Sequence, residues 1–290
     1  MFKKSFLYVG GMVLITLACA LGLMLWFWWQ DFSDTKVVFL DVGQGDAILI
    51  IQGSNQVLID GGRSGKILLE RLGAYMPFWD HQIETIVATH PDEDHIGGLV
   101  DAIKTYRVGT MLDTKMNSDT AVYRALQEAK SDRHITDMET FSGLLVKLPD
   151  GGVMEAVHPF ESLENNHSKD TNATSIVMKL TTASGETFLF TGDLPDEQEN
   201  LIDPGKVDVL KAGHHGSKSS SSDSFLKKLS PRDAILSVGA NNRYGHPAPE
   251  VIDRLRTHHA NIFRTDMQGS ILYRCPPEKE RDCMVSTAKN

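Results

Sequence analysis

The apolar and polar positions of the chain form short runs that predict alternating strands and helices. Three strands are predicted first, in the runs "KVVFLDV" (36–42), "DAILIIQ" (46–52) and "QVLID" (56–60), with the turn sequences "GQG" and "GSN" between them. A helical pattern in "KILLERLGAYM" (66–76) leads to the strand "IETIVATH" (83–90) and then to the helix "GGLVDAIKTY" (97–106). The first half is therefore predicted to open as a meander and to continue as alternating strands and helices.

The second half has the same mixture of elements. Its predicted strands are "TSIVMKLTT" (174–182), "TFLFTGD" (187–193), "VDVLKAG" (207–213), "AILSVG" (234–239), "IFRTD" (262–266) and "SILYRC" (270–275). A Ser-rich break covers residues 217–222, and "PEVIDRLRTHH" (249–259) is a predicted helix. The sequence shows neither a repeat of fixed period nor a long linker. The pattern predicts an α/β protein with two sheets sandwiched between helices and with sites on loops at strand ends.

Residues 6–29 form an uncharged run of 24 residues, "FLYVGGMVLITLACALGLMLWFWW", which is long enough to cross a bilayer as a helix. Lys3 and Lys4 precede the run, and the aromatic cluster "WFWW" ends it, which is typical of a span whose N-terminus is cytoplasmic. A cleaved signal peptide with the site "ACA" is the alternative, but cleavage would leave "LGLMLWFWW" exposed. We therefore expect residues 1–30 to be a single-pass anchor in the cell membrane and the remaining chain to be extracytoplasmic.

Composition restricts the ligands that the chain can bind. Its 29 Lys and Arg against 38 Asp and Glu leave a formal net charge of −9. This is opposite to the charge of proteins that hold nucleic acid by phosphate neutralisation alone, so a polyanion must meet local cations or a metal. Cys275 and Cys283 bracket a short polar loop. Outside the cytoplasm such a pair is typical of a disulfide, whereas a reducing cytosol would leave two free thiols.

The segment "VATHPDEDHIGGL" (87–99) concentrates candidate metal ligands between an apolar strand and a Gly-Gly that opens a helical pattern; they are His90, Asp92, Asp94 and His95. Ligands so close together at a strand end can serve two cations a few Å apart, as two-metal hydrolases require. Three later segments also end a strand in such a residue: "TFLFTGDL" with Asp193, "VDVLKAGHHGS" with His214 and His215, and "VGANNRYGHP" with His246. One such segment alone would be interpreted as a solvated loop, but four together predict a metal site.

The set "HPDEDH", "TGD", "HHGS" and "YGHP" resembles the metallo-β-lactamase superfamily, and "FLDVGQGDAILI" with "LIDGG" resembles the soluble C-terminal domain of the ComEC family of DNA-uptake channel proteins. The resemblance implies an αββα four-layer sandwich, with a hydrolase domain at 36–275, a C-terminal tail at 276–290 and two bound divalent metal ions. ComEC channels also carry a multi-helix membrane part. Because this chain has one apolar segment, we expect the pore to belong to a separate channel or uptake protein.

The resemblance also implies roles for individual residues. The HxHxDH motif of the superfamily falls on His90 to His95, with Asp92 where a histidine is usual, and Asp193 matches the bridging aspartate. The superfamily's intervening ligand histidine has no clear counterpart, and the candidates are Asn172 in "DTNATSIVM" and His158 in "VHPF". The implied metal ligands are His90, Asp92, Asp94, His95, Asn172, Asp193 and His215. His214 is expected to pack or to contact substrate, and His246 to be a further ligand or a phosphate contact.

Asp92 affects which metal is expected. An oxygen ligand in place of an imidazole makes the site harder, which favours manganese or another oxygen-preferring cation over zinc. The ComEC-like branch commonly shows this change, so the aspartate marks a subfamily and not a broken site. The expected cofactors are therefore two divalent ions, manganese or zinc.

These ligands imply hydrolysis of a phosphodiester, for which two cations would activate a shared water and neutralise the non-bridging oxygens. Asp94 or Asp193 would orient the water, and His214, His246 or Lys218 would stabilise developing charge or protonate the leaving oxygen. A local cationic track for a nucleic-acid backbone is predicted from Lys211, Lys218, Lys227, Lys228 and Arg243. The alternative is a flexible Ser-rich loop with ordinary surface lysines.

Two other functions fit the same motifs. A membrane-anchored esterase of envelope phosphodiesters, such as phosphorylcholine or teichoic-acid esters, would share the catalytic group and the location. A non-catalytic binding module on the same fold would need to have lost its ligands, and the retained histidines and aspartates disfavour it. Hydrolysis of DNA outside the cytoplasm is the function that we expect.

Overall fold

The apolar runs at the two ends of the chain meet in one mixed sheet. The computed structural model describes residues 14–24, 32–164, 170–279 and 281–289. In spatial order this sheet contains β15 (Met284–Thr287), β14 (Ile271–Cys275), β1 (Thr35–Phe39), β2 (Ile48–Gln52), β3 (Asn55–Ile59), β4 (Gln82–Val87), β5 (Arg107–Asp113) and β6 (Thr136–Glu139). Strands β1 to β3 form the predicted antiparallel meander, and β3 to β6 run parallel. Every residue of β2 is buried, as expected of a strand covered on both faces.

The second sheet is built from the middle of the chain. Its spatial order is β13 (Asn261–Arg264), β12 (Asp233–Leu236), β11 (Val209–Lys211), β10 (Thr187–Phe190), β9 (Val177–Thr181), β8 (Val153–His158) and β7 (Leu145–Lys147). Strands β10 to β13 run parallel, whereas β7 to β10 pair antiparallel. Both sheets are therefore mixed, and each contains a parallel half.

Helices cover the outer faces of both sheets. They are α2 (Gly65–Tyr75), α3 (Glu93–Thr105), α4 (Ala121–Asp132), α5 (Asp196–Glu199), α6 (Asp223–Leu229), α7 (Pro249–Thr257) and α8 (Thr265–Gln268), while residues 14–24 form α1. Local signals start several of them, because the hydroxyls of Ser64, Thr120 and Ser222 each accept a backbone N–H of the first turn. Helix α3 begins at Glu93, four residues before the predicted start, so Asp94 and His95 lie in its first turn.

Three apolar clusters separate four layers. Between the sheets, Phe39 packs at 6.0 Å from Phe190, and Phe188 at 5.3 Å from Tyr273, measured between ring centroids. A second cluster joins the first sheet to α2, α3 and α4, and a third joins the second sheet to α6 and α7. The predicted α/β architecture, with two sheets between helices, is confirmed.

The N-terminal and C-terminal segments were predicted to be a membrane anchor and a tail. Among the described residues, no helix combines the length and the apolar character needed to cross a bilayer. Most of the predicted anchor, at 1–13 and 25–31, lies outside the described residues, and the membrane span stays a prediction. At the other end, Cys275 and Cys283 form a disulfide, and β15 adds an edge strand within the segment assigned to a tail.

Candidate metal centre

The candidate site lies where strand ends from both sheets meet. The chain leaves β3 at Asp60 and β4 just before His90, and these strands are parallel neighbours. In the second sheet, β10 is followed by Asp193 and its parallel neighbour β11 by His215. Because the carboxyl ends of parallel strands share one edge of a sheet, residues far apart in sequence converge there. All four side chains are buried.

The two glycines after "HPDEDHI" allow α3 to pack closely against a neighbouring loop. The loop 60–63 lies directly against α3, where Gly61 donates its N–H to the carbonyl of His95 at 2.7 Å and Gly98 donates to Gly62 at 2.8 Å. A Cβ on Gly98 would lie 2.0 Å from the oxygen of Gly61, and one on Gly97 would lie 2.5 Å from the oxygen of Arg63. The two glycines therefore permit a close approach between loop and helix, which brings the carboxylate of Asp60 to the ring of His95.

Asp60 orients His95. Its Oδ2 lies 2.7 Å from Nδ1 of His95, and the same carboxylate accepts the N–H and the hydroxyl of Thr89 at 2.8 and 2.7 Å. The other ring nitrogen, Nε2, faces the centre and lies 3.3 Å from Oδ1 of Asp193. Burial acts to lower the pKa of His95, but the carboxylates of Asp193 and Asp60 hold it well above its usual range. A carboxylate behind the imidazole is the usual support of a metal-ligating histidine.

A left-handed backbone conformation orients the side chain of His215. His214 and His215 both have left-handed conformations, at φ 48° and 56°, inside a 3₁₀ turn at Gly213–Gly216. Non-glycine residues in this region are strained, and such strain is concentrated at functional sites. The turn lets Nδ1 of His215 donate to the carbonyl of Ser237 at 2.9 Å. Its Nε2 then lies 3.4 Å from Asp193 Oδ2 and 3.6 Å from Asp94 Oδ2.

His90 and Asp92 form the other side of the centre. Nδ1 of His90 lies 3.0 Å from the hydroxyl of Thr89, and its Nε2 lies 3.9 Å from Oδ2 of Asp92. Burial, together with the charge of His95, lowers the pKa of His90 to about 3, so its imidazole is neutral with a lone pair for a ligand. Oδ1 of Asp92 accepts the hydroxyl of Thr171 at 2.7 Å. That hydrogen bond leaves Oδ2 directed at His90.

His214 lies next to Asp193, and Asn172 lies next to His214. The amide nitrogen of Asn172 lies 3.5 Å from Nδ1 of His214, and Nε2 of His214 lies 3.7 Å from Oδ2 of Asp193. The amide oxygen of Asn172 is buried without a hydrogen-bond partner among the described residues. Nδ1 of His158 contacts the carbonyl of Ser175 at 2.8 Å, and His158 is not among the described residues that form the metal-binding groups or line the cleft. Of the two candidates for the missing histidine, the structure brings Asn172 to the centre.

The donor set fits divalent cations. Within the described part of the chain, the buried atoms of the centre that lack a hydrogen-bond partner include Nε2 of His90, His95 and His215, and Oδ1 of Asp193. Ligand atoms of His90, His95 and Asp193 lie within 4.8 Å of one another, as do those of Asp94, His95 and His215. Leaving a buried polar atom unpaired costs about 1–3 kcal/mol, so several at one point indicate a ligand. Imidazole and carboxylate donors at this spacing suit divalent metal binding.

An open cleft leads from solvent to this centre. It is lined by Gln44, Asp92, Asp94, Asp193, His214, His215, Tyr244 and His246. Of the residues predicted as catalytic, Asp94, His214 and His246 lie in the cleft. Lys218 is exposed and is not among the lining residues. The structure therefore gathers every predicted site residue except Lys218 and the alternative His158.

The predicted cationic track is not continuous. Lys211 is fully buried beneath the centre, where its Nζ pairs with Asp46 and donates to the carbonyl of Gly192 at 3.0 Å. It cannot meet a backbone arriving from solvent. Lys228 donates to the carbonyl of Ile202 at 2.9 Å, and Lys227 is exposed on the same helix. Only Arg243, beside Tyr244, reaches the rim of the cleft.

Two buried aspartates of the site were not assigned a role from the sequence. Asp60 supports His95, and Oδ1 of Asp46 lies 3.4 Å from Nδ1 of His215. Burial acts to raise the pKa of Asp46, but the charge of Lys211 and the contact with His215 lower it below its usual range. Both residues belong to motifs that carried the resemblance, Asp46 to "DVGQGD" and Asp60 to "LIDGG". The signal that marked them was an acidic residue next to an apolar run, which follows Asp46 as "AILII" and precedes Asp60 as "VLI".

Comparisons with known proteins agree with this architecture. A family model described as the metallo-beta-lactamase superfamily matches residues 40–240. ComE operon protein 3 of Bacillus subtilis (strain 168) is 31% identical over 281 residues, which cover 89% of this chain and 35% of that protein. Competence protein ComA of Neisseria gonorrhoeae is 28% identical over 249 residues, which cover 83% of this chain and 32% of that protein. The chain spans about a third of the length of these curated relatives.

A solved structure shows the same fold. The metallo-beta-lactamase fold protein YhfI from Bacillus subtilis matches with a TM-score of 0.52 and 13% sequence identity, covering 88% of this chain and 100% of that chain. At this identity the likeness concerns the fold alone. The two mixed sheets, the ligands at their shared edge and the family match lead to one conclusion: the chain belongs to the metallo-beta-lactamase superfamily and is a distant homologue of the ComEC-type competence proteins.

Proposed function

We propose that the chain is a metal-dependent phosphodiesterase that hydrolyses DNA outside the cytoplasm. The observation that carries the proposal is the convergence of three unpartnered imidazole nitrogens near Asp193, which together with His215 lines an open polar cleft. The names of the relatives, ComE operon protein 3 and Competence protein ComA, support a role connected with competence. Since the chain spans about a third of these proteins, their whole activity is not transferred to it.

The residues of the cleft would have different roles in the proposed hydrolysis. Bound divalent ions would supply a hydroxide nucleophile near neutral pH and Lewis-acid stabilisation of the phosphoryl oxygens. Burial acts to raise the pKa of Asp94, but its contact with His215 and the charge of His95 hold this pKa below its usual range. Asp94 therefore stays ionised and can orient a water by accepting a hydrogen bond from it. Burial lowers the pKa of both His214 and His246. As neutral imidazoles at pH 7 they would act on the leaving oxygen as N–H donors.

The location proposed is the outer face of the cell membrane, with residues 1–30 as the anchor. The uncharged run at 6–29 with Lys3 and Lys4 before it supports an anchor of this orientation. The disulfide between Cys275 and Cys283 supports an oxidising compartment. A channel or uptake protein is the proposed partner, which the names of the competence relatives support.

The proposal is tested with the full chain purified in detergent, stripped of metal and reloaded with manganese or zinc. We expect cleavage of single- or double-stranded DNA that depends on added metal. Asp94→Asn should abolish it with little loss of fold, because Asp94 is a surface residue of the cleft and not of the apolar core. Asp119→Asn, at an exposed carboxylate outside the cleft, is the matched control and should retain activity.

Phosphorylcholine and teichoic-acid phosphodiesters are assayed under the same conditions. If the protein cleaves these esters in a metal-dependent manner but leaves DNA uncleaved, the proposed nuclease function is wrong and the protein is an envelope esterase. Activity that survives in both Asp94→Asn and His95→Ala, with unchanged metal content, would remove this site from the mechanism.

A further inference from the structure

Two loops with fixed backbones form the rim of the cleft. The first, residues 60–63, is held against α3 by the glycine contacts described above and ends at Arg63. The second, residues 239–246, is wound around the side chain of Asn242. Its amide nitrogen donates to the carbonyls of Gly239 at 3.0 Å and His246 at 2.6 Å, and its amide oxygen accepts the N–H groups of Tyr244 at 3.1 Å and His246 at 3.0 Å. Four hydrogen bonds from one side chain therefore set the position of Tyr244.

Aromatic rings lead from the rim to the metal centre. The ring of Tyr244 is stacked on that of His246, with centroids 5.9 Å apart and an interplanar angle of 16°. The ring of His246 in turn lies 5.7 Å from that of His214, which borders Asp193. Tyr244 is 47% exposed. A flat, accessible ring at the mouth of a catalytic cleft is a platform on which a nucleobase can stack.

Two arginines lie near the hydroxyl of Tyr244. Nη2 of Arg243 donates to it at 3.4 Å, and the Arg243 guanidinium lies 5.4 Å from the centroid of the ring. Arg63 also interacts with this hydroxyl, and the interaction raises the pKa of Arg63. Contacts with Arg243 and then Arg63 lower the pKa of Tyr244. Arg63 reaches this point from the other loop, with its Nε 3.5 Å from Glu93.

Arg63 and Arg243 place positive charge beside a cleft that is otherwise negatively charged. The floor of the cleft carries the carboxylates of Asp92, Asp94 and Asp193, and the whole chain has a net charge of −9. A polyanion approaching the centre is therefore repelled except where positive charge is local. Because guanidinium groups bind phosphate through paired N–H donors, two of them beside an aromatic ring form a site for a nucleotide.

We propose that Arg63 and Arg243 bind the phosphate next to the scissile one, while Tyr244 stacks on the base of the same nucleotide. The inference rests on the proposed phosphodiesterase function and narrows its substrate to a nucleic-acid strand. A base can lie on Tyr244 only if it has left its own stack, so the preferred substrate is single-stranded or a frayed end. Esters with one phosphate and no base would make none of these contacts.

The test compares a twelve-nucleotide single strand with methyl 4-nitrophenyl phosphate, which has one phosphate and no base. For Arg63→Ala and Arg243→Ala we expect the ratio of kcat/KM for the strand to kcat/KM for the ester to fall about tenfold. The slope of log KM against log salt concentration should decrease by about 1 for each arginine removed. Arg124→Ala, at an exposed arginine of α4, is the matched control and should keep the parent ratio.

Variants of Tyr244 separate stacking from charge. Tyr244→Phe should keep most of the preference for the strand, and Tyr244→Ala should lose it, with a larger loss on single-stranded than on duplex DNA. Arg63→Lys retains the charge without the paired donors and should fall between the parent and Arg63→Ala. Thermal melting of each variant excludes a folding defect, and fluorescence anisotropy of a labelled strand reports binding without turnover.

The outcomes are distinguishable. An unchanged substrate ratio and salt slope in Arg63→Ala and Arg243→Ala, in a protein that cleaves both substrates, overturns the nucleotide site and leaves the phosphodiesterase in place. A parent protein that binds the labelled strand through these arginines but cleaves neither substrate keeps the site and refutes the phosphodiesterase. Absence of both binding and cleavage overturns both.

Discussion

Asp92 lies at the N-cap of α3 but does not cap it, because its side chain makes no hydrogen bond to the first turn of the helix. One oxygen accepts the hydroxyl of Thr171, and the other is directed at Nε2 of His90. Burial raises the pKa of Asp92, and the charges of Asp193 and Asp94 add to this, while the hydrogen bond from Thr171 and the charge of His95 act in the opposite direction. A side chain that makes no capping bond and faces the centre fits the predicted role of Asp92 as a metal ligand.

The first prediction concerns the metal that Asp92 selects. Since manganese prefers oxygen donors and zinc prefers nitrogen and sulfur, manganese should support more phosphodiester hydrolysis than zinc in the parent, and Asp92→His should shift the preference toward zinc. The measurement is turnover of metal-stripped protein titrated with each cation. A parent most active with zinc, or a variant that loses activity equally with both metals, would show that Asp92 only orients its neighbours.

At the scale of elements, the site depends on how closely the loop 60–63 approaches α3. Helix and loop share two backbone hydrogen bonds, and the loop delivers Asp60 to His95 on one side and Arg63 to the cleft rim on the other. The same contact therefore supports both the metal centre and the proposed nucleotide site. Neither glycine of α3 can be replaced without moving the loop.

The second prediction follows from that contact. In Gly98→Ala the new Cβ would meet the carbonyl oxygen of Gly61 at 2.0 Å, so the loop must shift, and we expect a loss of about 1–3 kcal/mol of stability with weaker metal binding. Gly73→Ala in α2 is the control, because a Cβ there has no neighbour within 4 Å and should add about 0.5–1 kcal/mol. Urea unfolding and metal titration of both variants test this. Equal stability of the two would contradict it.

The third prediction concerns the link between α5 and α6. Glu199 is fully buried and accepts the backbone N–H groups of Ser221 at 2.5 Å and Ser222 at 2.9 Å. Burial raises the pKa of Glu199 from 4.5 to about 7. A carboxyl whose pKa is higher in the folded state binds a proton on folding, so its contribution is present at low pH and is lost as the pH rises through the folded value.

Between pH 5 and pH 8 the parent should therefore lose stability relative to Glu199→Gln, which does not titrate, by on the order of 3 kcal/mol. Urea unfolding of both proteins in a chelator, so that the metal centre contributes equally, gives the difference. If the two proteins show parallel pH profiles, the carboxyl of Glu199 is ionised throughout this range.

At the scale of the whole molecule, the net charge and the proposed location outside the cytoplasm both affect how a substrate would reach the site. A net charge of −9 disfavours binding of a polyanion overall, so the proposed DNA substrate would bind only where metal and the two rim arginines outweigh this charge. The proposed membrane anchor would confine the domain to the membrane surface. The disulfide between Cys275 and Cys283 then fits a domain outside the reducing cytosol.

The fourth prediction tests that placement. A reporter that works only in the cytoplasm, fused after residue 290, should stay silent in the full chain because Lys3 and Lys4 hold the N-terminus inside. The same fusion without residues 1–30 should be active, which controls for expression and folding of the reporter. A full-length fusion that is active in the cytoplasm would reverse the proposed orientation.

The sequence by itself determined the class of the fold and most of the metal-facing residues. Strand periodicity and turn chemistry are local, so the meander, the strand at 270–275 and the helix at 249–259 are all found close to their predicted positions. Most of the candidate ligands were found for the same reason, because they lie in loops that follow apolar strands. The start of α3 was missed by four residues, because "EDH" at 93–95 was interpreted as part of a metal-binding loop, whereas these residues form the first turn of the helix.

Only the tertiary structure decided which distant residues support those ligands. Lys211 has the local sequence of a surface lysine, yet it is buried because Asp46 lies opposite it from another sheet. Asp60 behind His95, and Arg63 with Arg243 around Tyr244, are likewise pairs from separate loops. Periodicity reports which face of an element is buried, whereas partners across sheets are set by how the layers pack, and packing is a property of the whole chain.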